Sequence, residues 1–304
     1  MDNSTNINEA RILIVGTGRL GSRAAALLCD AGVKRLTLCD YDIVLDENLA
    51  QQPLYTKEDI GKPKADAAAR RLAAQHPDAS IIRIATMFSP EALSDDITLI
   101  IDGTDNLETR LTLNDAARAK GVPLVIATAT AGRGMVFPVL PQRGAPCWQC
   151  ITKGKVAGDD CASGIEPAVA DAVVKAQAEL ALRILHSEHV APRLLLIDAQ
   201  RTAAVAVRTN PACSACKGGF EHLGAPFSIQ YCASRERVLA RPNAPRVLDL
   251  DGIRSSEKVV RDYGAAVLVR AGGGTALVHR HGLIEFSDVP HEEAHAFTRR
   301  ILQG

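Results

Sequence analysis

Two Cys-x-x-Cys pairs stand about sixty residues apart in this chain, Cys147 with Cys150 and Cys213 with Cys216. Four thiolates in paired spacing are typical of closed, tetrahedral zinc sites. The sequence therefore predicts a structural Zn²⁺ clip, which ties the loop after one strand to the end of the main domain. Four unrelated buried thiols are the alternative interpretation, and the paired spacing disfavours it.

A glycine pattern near the N-terminus indicates a second kind of chemistry. Gly16, Gly18 and Gly21 fit G-x-G-x-x-G between an apolar run and an Ala/Leu-rich segment. Such glycines allow a tight turn and let a phosphate approach the N-terminus of a helix. Asp40 ends the next apolar run about twenty residues later, where a carboxylate can bond ribose hydroxyls. The pattern predicts a nucleotide site but does not distinguish NAD from ATP, and a turn without a ligand is the alternative.

The composition restricts the class of protein. The chain has 304 residues and is 47% hydrophobic, which is enough for a sizeable core and disfavours global disorder. Lys+Arg and Asp+Glu both number 35, so the charge favours neither nucleic acid nor an anionic membrane as a partner. The apolar runs are strand-sized, and we expect a cytoplasmic protein. Eight cysteines in a reducing compartment indicate metal ligands or reactive thiols before disulfides.

The order of predicted elements indicates an α/β fold. Apolar strand-like runs alternate with helical segments from residue 11 to residue 128. This alternation predicts a doubly wound, Rossmann-like, mainly parallel sheet. A long helix is expected over 167–186 and a hairpin over 193–208. We expect residues 1–222 to form this domain together with the zinc clip.

The C-terminal part has a different character. After Gly218 and Gly219 the pattern changes to short strands, and we expect residues 223–304 to form a small α+β module. Its segments predict a strand at 247–250 and a helix at 255–263. The module is a candidate for binding a substrate or a partner chain.

Short motifs after Asp40 separate the nucleotide classes. They are Asp40-Tyr41-Asp42, Asn48-Leu49-Ala50-Gln51-Gln52, Gly61-Lys62-Pro63-Lys64 and Gly103-Thr104-Asp105-Asn106. Together with the glycine loop and both cysteine pairs, they make residues 10–219 resemble the ubiquitin-activating-enzyme-like adenylyltransferases, the MoeB, ThiF and HesA group. The motifs occur in the order of that family with suitable spacing.

The resemblance implies a reaction and a set of site residues. In this family a C-terminal carboxylate attacks the α-phosphate of Mg-ATP, giving an acyl-adenylate and pyrophosphate. Because a carboxylate is already ionised at neutral pH, positioning and charge neutralisation must supply the catalysis. By resemblance, Asp40 would hold the ribose, Asn48 and Lys64 would face the phosphates, and Asp105 would hold Mg²⁺. The implied nucleotide site also includes the three glycines, Asp42 and Asn106, with Arg110 in support.

Cys161 is a further candidate on the strength of the resemblance. Family members carry a cysteine here, in a loop that crosses over the active site, and in some of them it bonds to the activated carrier. Asp159 and Asp160 precede it and would raise the thiol pKa. A covalent role and a dispensable residue both remain open. Cys29, Cys39 and Cys232 lie in apolar patterns and are expected in the core.

The chain departs from the family at two arginines. Gln51 stands where the family usually has an arginine that contacts the phosphates. Bacterial members usually begin with an arginine-bearing segment, whereas about ten polar residues precede the first expected strand here. We expect Arg19, inside the glycine loop, to take part of that charge. Lys62 is another candidate, and an arginine from a second protein is a third.

These observations lead to one main expectation and its rivals. We expect an ATP-dependent adenylyltransferase acting on a small ubiquitin-like sulfur carrier or on a precursor peptide of natural-product biosynthesis, assembled as a homodimer. A non-catalytic or partner-dependent half of a heterodimer is the second hypothesis. An NAD-dependent oxidoreductase is disfavoured, since the series from Asp42 to Asp105 has no role in hydride transfer.

Overall fold

A large mixed sheet forms the main body of the protein. The computed structural model describes residues 7–130, 132–152, 166–223, 230–232, 237–240 and 247–303. The strands of this sheet are β1 (Arg11–Val15), β2 (Arg35–Cys39), β3 (Ser80–Ile84), β4 (Leu99–Asp102), β5 (Leu124–Ala129), β6 (Gly134–Val139), β7 (Arg193–Ile197) and β8 (Thr202–Ala206). The helices around it are α1 (Arg19–Asp30), α2 (Lys64–Gln75), α3 (Leu107–Lys120), α4 (Trp148–Thr152) and α5 (Pro167–Leu185).

The first five strands form the predicted doubly wound sheet. They run parallel in the order β3-β2-β1-β4-β5, so the connections diverge on either side of β1. Ile12 and Ile14 pack with α1, α2 and α5, whereas Leu13 and Val15 pack with α3 and α4. Helices on both faces explain why β1 is a continuous apolar run. The predicted fold class is confirmed.

Three antiparallel strands extend the sheet beyond β5. Strand β6 pairs with β5 and with β7, and β7 pairs with β8 as the predicted hairpin. Strand β6 is not predicted from the sequence, because Gly134 and Pro138 interrupt its apolar pattern. The predicted long helix is α5.

A second, antiparallel sheet follows near the C-terminus. Its strands are β9 (Gln230–Cys232), β10 (Arg237–Ala240), β11 (Val259–Asp262), β12 (Ala266–Ala271), β13 (Gly274–His279) and β14 (Ile284–Ser287), in the order β11-β12-β13-β14-β10-β9. Helices α6 (Leu250–Ser256) and α7 (His291–Gln303) accompany it, and Phe297 of α7 packs edge-on against Phe286. A chain division after residue 222 remains a prediction.

Two predictions for this sheet are wrong. No strand covers 247–250, because Asp249 caps α6 by accepting a hydrogen bond from the Asp251 N–H at 3.0 Å. No helix covers 255–263 either, since α6 ends at Ser256 and β11 follows. Val259 and Val260 are β-branched and favour a strand there.

The glycine loop touches the turn after β4 through backbone atoms. Gly16 has φ +83°, and a Cβ added there would meet the Gly103 carbonyl at 2.7 Å. A Cβ at Gly21 would lie 1.8 Å from the Gly16 carbonyl oxygen. Only glycine fits where backbones approach this closely. Among the described residues, no helix combines the length and the apolar character needed to cross a bilayer.

This contact predicts the effect of an added methyl group. Gly21→Ala should lower the free energy of unfolding by about 1–3 kcal/mol, because backbone atoms must move to accommodate it. Chemical denaturation measures the change. Gly18→Ala is the matched control: its Cβ meets no atom within 4 Å and its φ of −68° suits alanine. Equal stability of the two variants would contradict the packing described.

Candidate functional site

The glycine loop opens α1 at the carboxyl edge of the parallel strands. Gly18 is the N-cap of α1, and the space beside its Cα is open. The first N–H groups of a helix lack intrahelical partners and attract anions. The loop therefore provides the open helix N-terminus that a phosphate group needs, at the edge where ligands bind in such sheets.

Asp40 supports the glycine loop through hydrogen bonds to Thr17. Its Oδ2 accepts hydrogen bonds from the Thr17 N–H at 2.6 Å and from the Thr17 hydroxyl at 2.9 Å, and its Oδ1 accepts from the Asp42 N–H at 2.8 Å. Burial raises the pKa of Asp40, and the nearby Lys64 ammonium opposes that rise. Asp40 lies beside the loop with both carboxylate oxygens bonded to the protein, and its contact with a ribose remains a prediction.

Tyr55 supports the same loop and was not among the predicted site residues. Its buried hydroxyl donates to the Thr17 carbonyl at 2.7 Å and lies 3.1 Å from the Thr17 hydroxyl. Burial raises the pKa of Tyr55, so the phenol stays protonated and can donate. Its position shortly after the Asn48 motif was the available signal, but a tyrosine in a loop has no distinctive pattern.

Asp42 and Lys64 form an ion pair near the glycine loop. The Lys64 ammonium donates to Asp42 Oδ2, and Lys64 is nearly buried at the start of α2. Burial acts to lower the pKa of Lys64, but Asp42 and Asp40 outweigh it and raise the pKa above its usual value. For Asp42, burial acts to raise the pKa, while Lys64 and His279 lower it on balance. The pair therefore stays ionised at neutral pH.

Arg19 meets the glutamine that stands in the place of a family arginine. Its Nη1 donates to Gln51 Oε1 at 3.0 Å. Burial, with Arg23 nearby, lowers the pKa of Arg19 without making it neutral at pH 7. Asn48 lies in the same segment, and its side-chain oxygen accepts from the Leu45 N–H at 2.9 Å. The Arg19 guanidinium thus lies against the segment of Gln51 and Asn48, and its contact with phosphate remains a prediction.

The loop after β4 carries Asp105, and hydrogen bonds hold the residues on both sides of it. Asp105 is exposed. Asn106 caps α3 by accepting from the Thr109 N–H at 2.9 Å. Arg110 is buried, and it donates to Asp102 Oδ2 and to the Thr104 carbonyl, both at 2.8 Å. Asn106 and Arg110 thus make hydrogen bonds within this loop and its flanks, and their support of a metal site remains a prediction.

Two buried anchors of this loop were not predicted. Asp102 accepts from the Thr104 N–H at 2.9 Å and from its hydroxyl at 2.6 Å. Gln177 of α5 donates to the Asp102 and Val125 carbonyls at 2.8 and 3.0 Å. These polar groups are buried among apolar strands, where each needs a partner. A glutamine within an apolar helix was the only signal that the sequence offered.

The four cysteines of the two pairs come together as the spacing predicted. The sulfur of Cys147 lies 3.6 Å from that of Cys213 and 3.5 Å from that of Cys216, and the sulfurs of Cys150 and Cys216 are 3.5 Å apart. All four lie within 4.8 Å of one another. Tetrahedral zinc with Zn–S bonds near 2.3 Å implies S–S separations of about 3.8 Å. The Asn210 N–H also points at the Cys150 sulfur, 3.4 Å away. The thiol arrangement fits this ion.

Trp148 links the thiol cluster to the Asp105 loop. It lies between Cys147 and Cys150 in sequence, and the Arg110 guanidinium carbon is 5.7 Å from its ring centre. Its backbone N–H donates to the side-chain oxygen of the buried Asn114 at 2.8 Å. Cys29 and Cys39 are core residues, as expected. Cys161 and the side chain of Cys232 lie outside the described part of the chain.

Comparisons with known proteins agree with the motifs. The ThiF family model matches residues 1–217. The sulfur carrier protein ThiS adenylyltransferase of Bacillus subtilis is 35% identical over 222 residues, which are 69% of this chain and 66% of that protein. The molybdopterin-synthase adenylyltransferase of Escherichia coli is 30% identical over 71% of this chain and 90% of its own length. The chain thus spans about two thirds of the first relative.

A solved structure shares the fold. The Microcin C7 biosynthetic enzyme MccB in complex with N-formylated MccA has a TM-score of 0.61 at 17% identity, over 69% of this chain and 68% of that one. At this identity the likeness concerns the fold. The family match ends at residue 217, before the second sheet begins.

Proposed function

This chain belongs to the ThiF family, and on that premise we propose that it is an enzyme that uses ATP to adenylate a C-terminal carboxylate. The observation that carries the proposal is the meeting of the glycine loop, the Asp42–Lys64 pair and the Asp105 loop at one edge of the sheet. The predicted family and its adenylyltransferase class agree with the relatives described above. A cytoplasmic setting suits a reduced thiol cluster.

The site residues would divide the work on ATP among them. The helix N-terminus at Gly18 would receive a phosphate, while Lys64 and Asn48 would face the phosphate chain. Asp105 is exposed at the same edge and would hold Mg²⁺, an ion that prefers oxygen ligands. When bound, Mg²⁺ would neutralise phosphate charge. The substrate carboxylate needs no base, so the residues of this chain act by orienting and neutralising.

Arg19 is our candidate for part of the charge that the two family arginines usually supply. Its Nη1 is held by Gln51, in the segment that would otherwise provide an arginine. A guanidinium at a helix N-terminus lies where phosphate is expected to dock. The positive charge at the site would then come from Arg19 instead of from an arginine at position 51. An arginine donated by a partner subunit remains the alternative.

For the substrate, we propose a small ubiquitin-like sulfur carrier with a free C-terminus. The curated relatives named for sulfur carriers support this choice. A precursor peptide is the second candidate, because the fold is shared with a Microcin C7 biosynthetic enzyme. We propose a homodimer as the assembly, with a heterodimer as the alternative, since a partner protein could supply an arginine to the phosphate site.

The thiol cluster would hold zinc in a structural role. Burial and the adjacent sulfurs raise the pKa of Cys147. For Cys150, burial acts to raise the pKa, but the Asn210 N–H and other hydrogen bonds lower it on balance. When bound, Zn²⁺ would supply a crosslink between the segment around Cys147 and the end of the main domain, and it would keep the thiolates deprotonated. Through Trp148 the crosslink would also steady Arg110.

Loss of the proposed magnesium ligand should stop the reaction. Asp105→Ala is expected to abolish ATP–pyrophosphate exchange, because the exposed carboxylate is the proposed anchor of the ion. The fold should persist, since Asp105 lies at the surface of a loop held by Arg110 and Asp102. Exchange at the wild-type rate in this variant would refute the assignment.

Removal of the Arg19 side chain should weaken ATP binding. Arg19→Ala is expected to reduce ATP affinity and exchange at least tenfold, about 1.4 kcal/mol. Arg23→Ala is the matched control, because that arginine lies on the same helix but pairs with Asp171 of α5. Isothermal calorimetry with ATP measures the affinity. Unaltered affinity would direct attention to Lys62 or to a partner's arginine.

The zinc proposal has a direct test. Elemental analysis of protein purified without chelators should find one zinc per chain. Cys150→Ser should reduce the zinc content and lower the melting temperature, because the clip closes a long loop. Cys29→Ser changes a buried cysteine of α1 away from the cluster and should keep the zinc. Wild-type protein without stoichiometric zinc would end the proposal.

A further inference from the structure

The second sheet packs against the segment that follows β2 of the large sheet. Ile43 is buried against Ala266 and Leu277 of β12 and β13. Gly61 approaches Tyr263 so closely that a Cβ would meet its carbonyl oxygen at 2.9 Å. Apolar packing and a close backbone contact therefore hold together two parts of the chain that are more than two hundred residues apart in the sequence.

His279, at the end of β13, lies at the polar centre of this contact. It is fully buried, and its Nε2 lies 2.8 Å from Glu285 Oε1. Polar side-chain atoms of Asp42, His279 and Glu285 all lie within 4.8 Å of one another. The ring of Tyr41 meets His279 edge-on, with 6.2 Å between the ring centres. A histidine of the second sheet thus reaches the aspartate that pairs with Lys64.

The charges explain why an imidazole is useful at this position. Asp40, Asp42 and Glu285 bring three carboxylates to the region, and Lys64 is paired with Asp42. Buried carboxylates repel one another unless a cation or a hydrogen-bond donor lies nearby. The imidazole of His279 lies beside both Asp42 and Glu285: its Nε2 meets Glu285, while its buried Nδ1 makes no hydrogen bond to the described part of the chain. The ring, within 4.8 Å of the Asp42 carboxylate, can therefore restrict the direction of Asp42 by close contact.

A bound metal ion would suit this cluster less well. The Lys64 ammonium already occupies Asp42 Oδ2. A divalent cation on the same carboxylate would lie next to that ammonium, and like charges at such short range are strongly unfavourable in a buried site. The arrangement favours a hydrogen-bonded network that includes the lysine.

We propose that His279 is a positioning residue of the nucleotide site: it orients Asp42, and through Asp42 it aims Lys64 at the phosphates. The inference rests on the proposed function, because it assumes that Lys64 faces ATP. It gives the C-terminal sheet a part in the ATP site itself. The sheet supplies this part from outside the segment that matches the family model.

Two substitutions at one position test the proposal. His279→Ala removes the ring and should weaken ATP binding about tenfold in calorimetry. His279→Gln retains an N–H donor that can reach Glu285 and should restore much of the affinity. Phe297→Leu is the control, because it loosens the core of the same sheet away from Asp42. It should lower the melting temperature without changing the affinity for ATP.

The outcomes separate the hypotheses. Unchanged ATP affinity in His279→Ala, or an equal loss in Phe297→Leu, would overturn the positioning role. A second metal ion per chain that disappears with His279→Ala would also overturn it, by making the histidine a metal ligand. Wild-type protein that binds ATP but exchanges no pyrophosphate with any carboxylate substrate would refute the proposed function alone, since the affinities would still test His279.

Discussion

Everything at the candidate site depends on a backbone contact that side chains would prevent. Gly16 and Gly21 in the first loop lie against Gly103 in the turn after β4, at distances that leave no room for a Cβ. Because of this contact, the turns that follow two neighbouring parallel strands form one surface. The open helix N-terminus and the loop of Asp105 therefore face the same space, where a nucleotide can touch both.

Several carboxylates at this edge hold the protein itself in place. Asp40 bonds to Thr17, Asp42 pairs with Lys64, and Asp102 is bonded to Arg110 and Thr104. Each is satisfied by donors from the chain, as buried charges require. A network that is bonded before the ligand arrives needs little rearrangement when it binds, and such preorganisation is the main contribution that a site can make to a reaction without a base. Asp105 lies exposed at the same edge.

The fold class and the thiol cluster could be predicted because their signals are local. Residues that share a strand, a helix turn or a Cys-x-x-Cys pair have a spacing that the chain geometry determines. The segments 247–250 and 255–263, which were predicted as a strand and a helix, carry no such local signal. Short amphipathic stretches suit either a strand or a helix, and a cap such as Asp249 or a neighbouring strand such as β12 decides between them.

The sequence by itself determined the glycine loop, the order of the motifs and the two Cys-x-x-Cys pairs, since each motif consists of residues close together in the chain. Only the tertiary structure decided which groups those residues meet. It placed the Tyr55 hydroxyl against Thr17, Arg19 beside Gln51, and His279 beside Asp42. The physical reason is that such contacts join distant segments through packing of both sheets, and a tyrosine, a glutamine or a histidine has no local pattern that reports its distant partner.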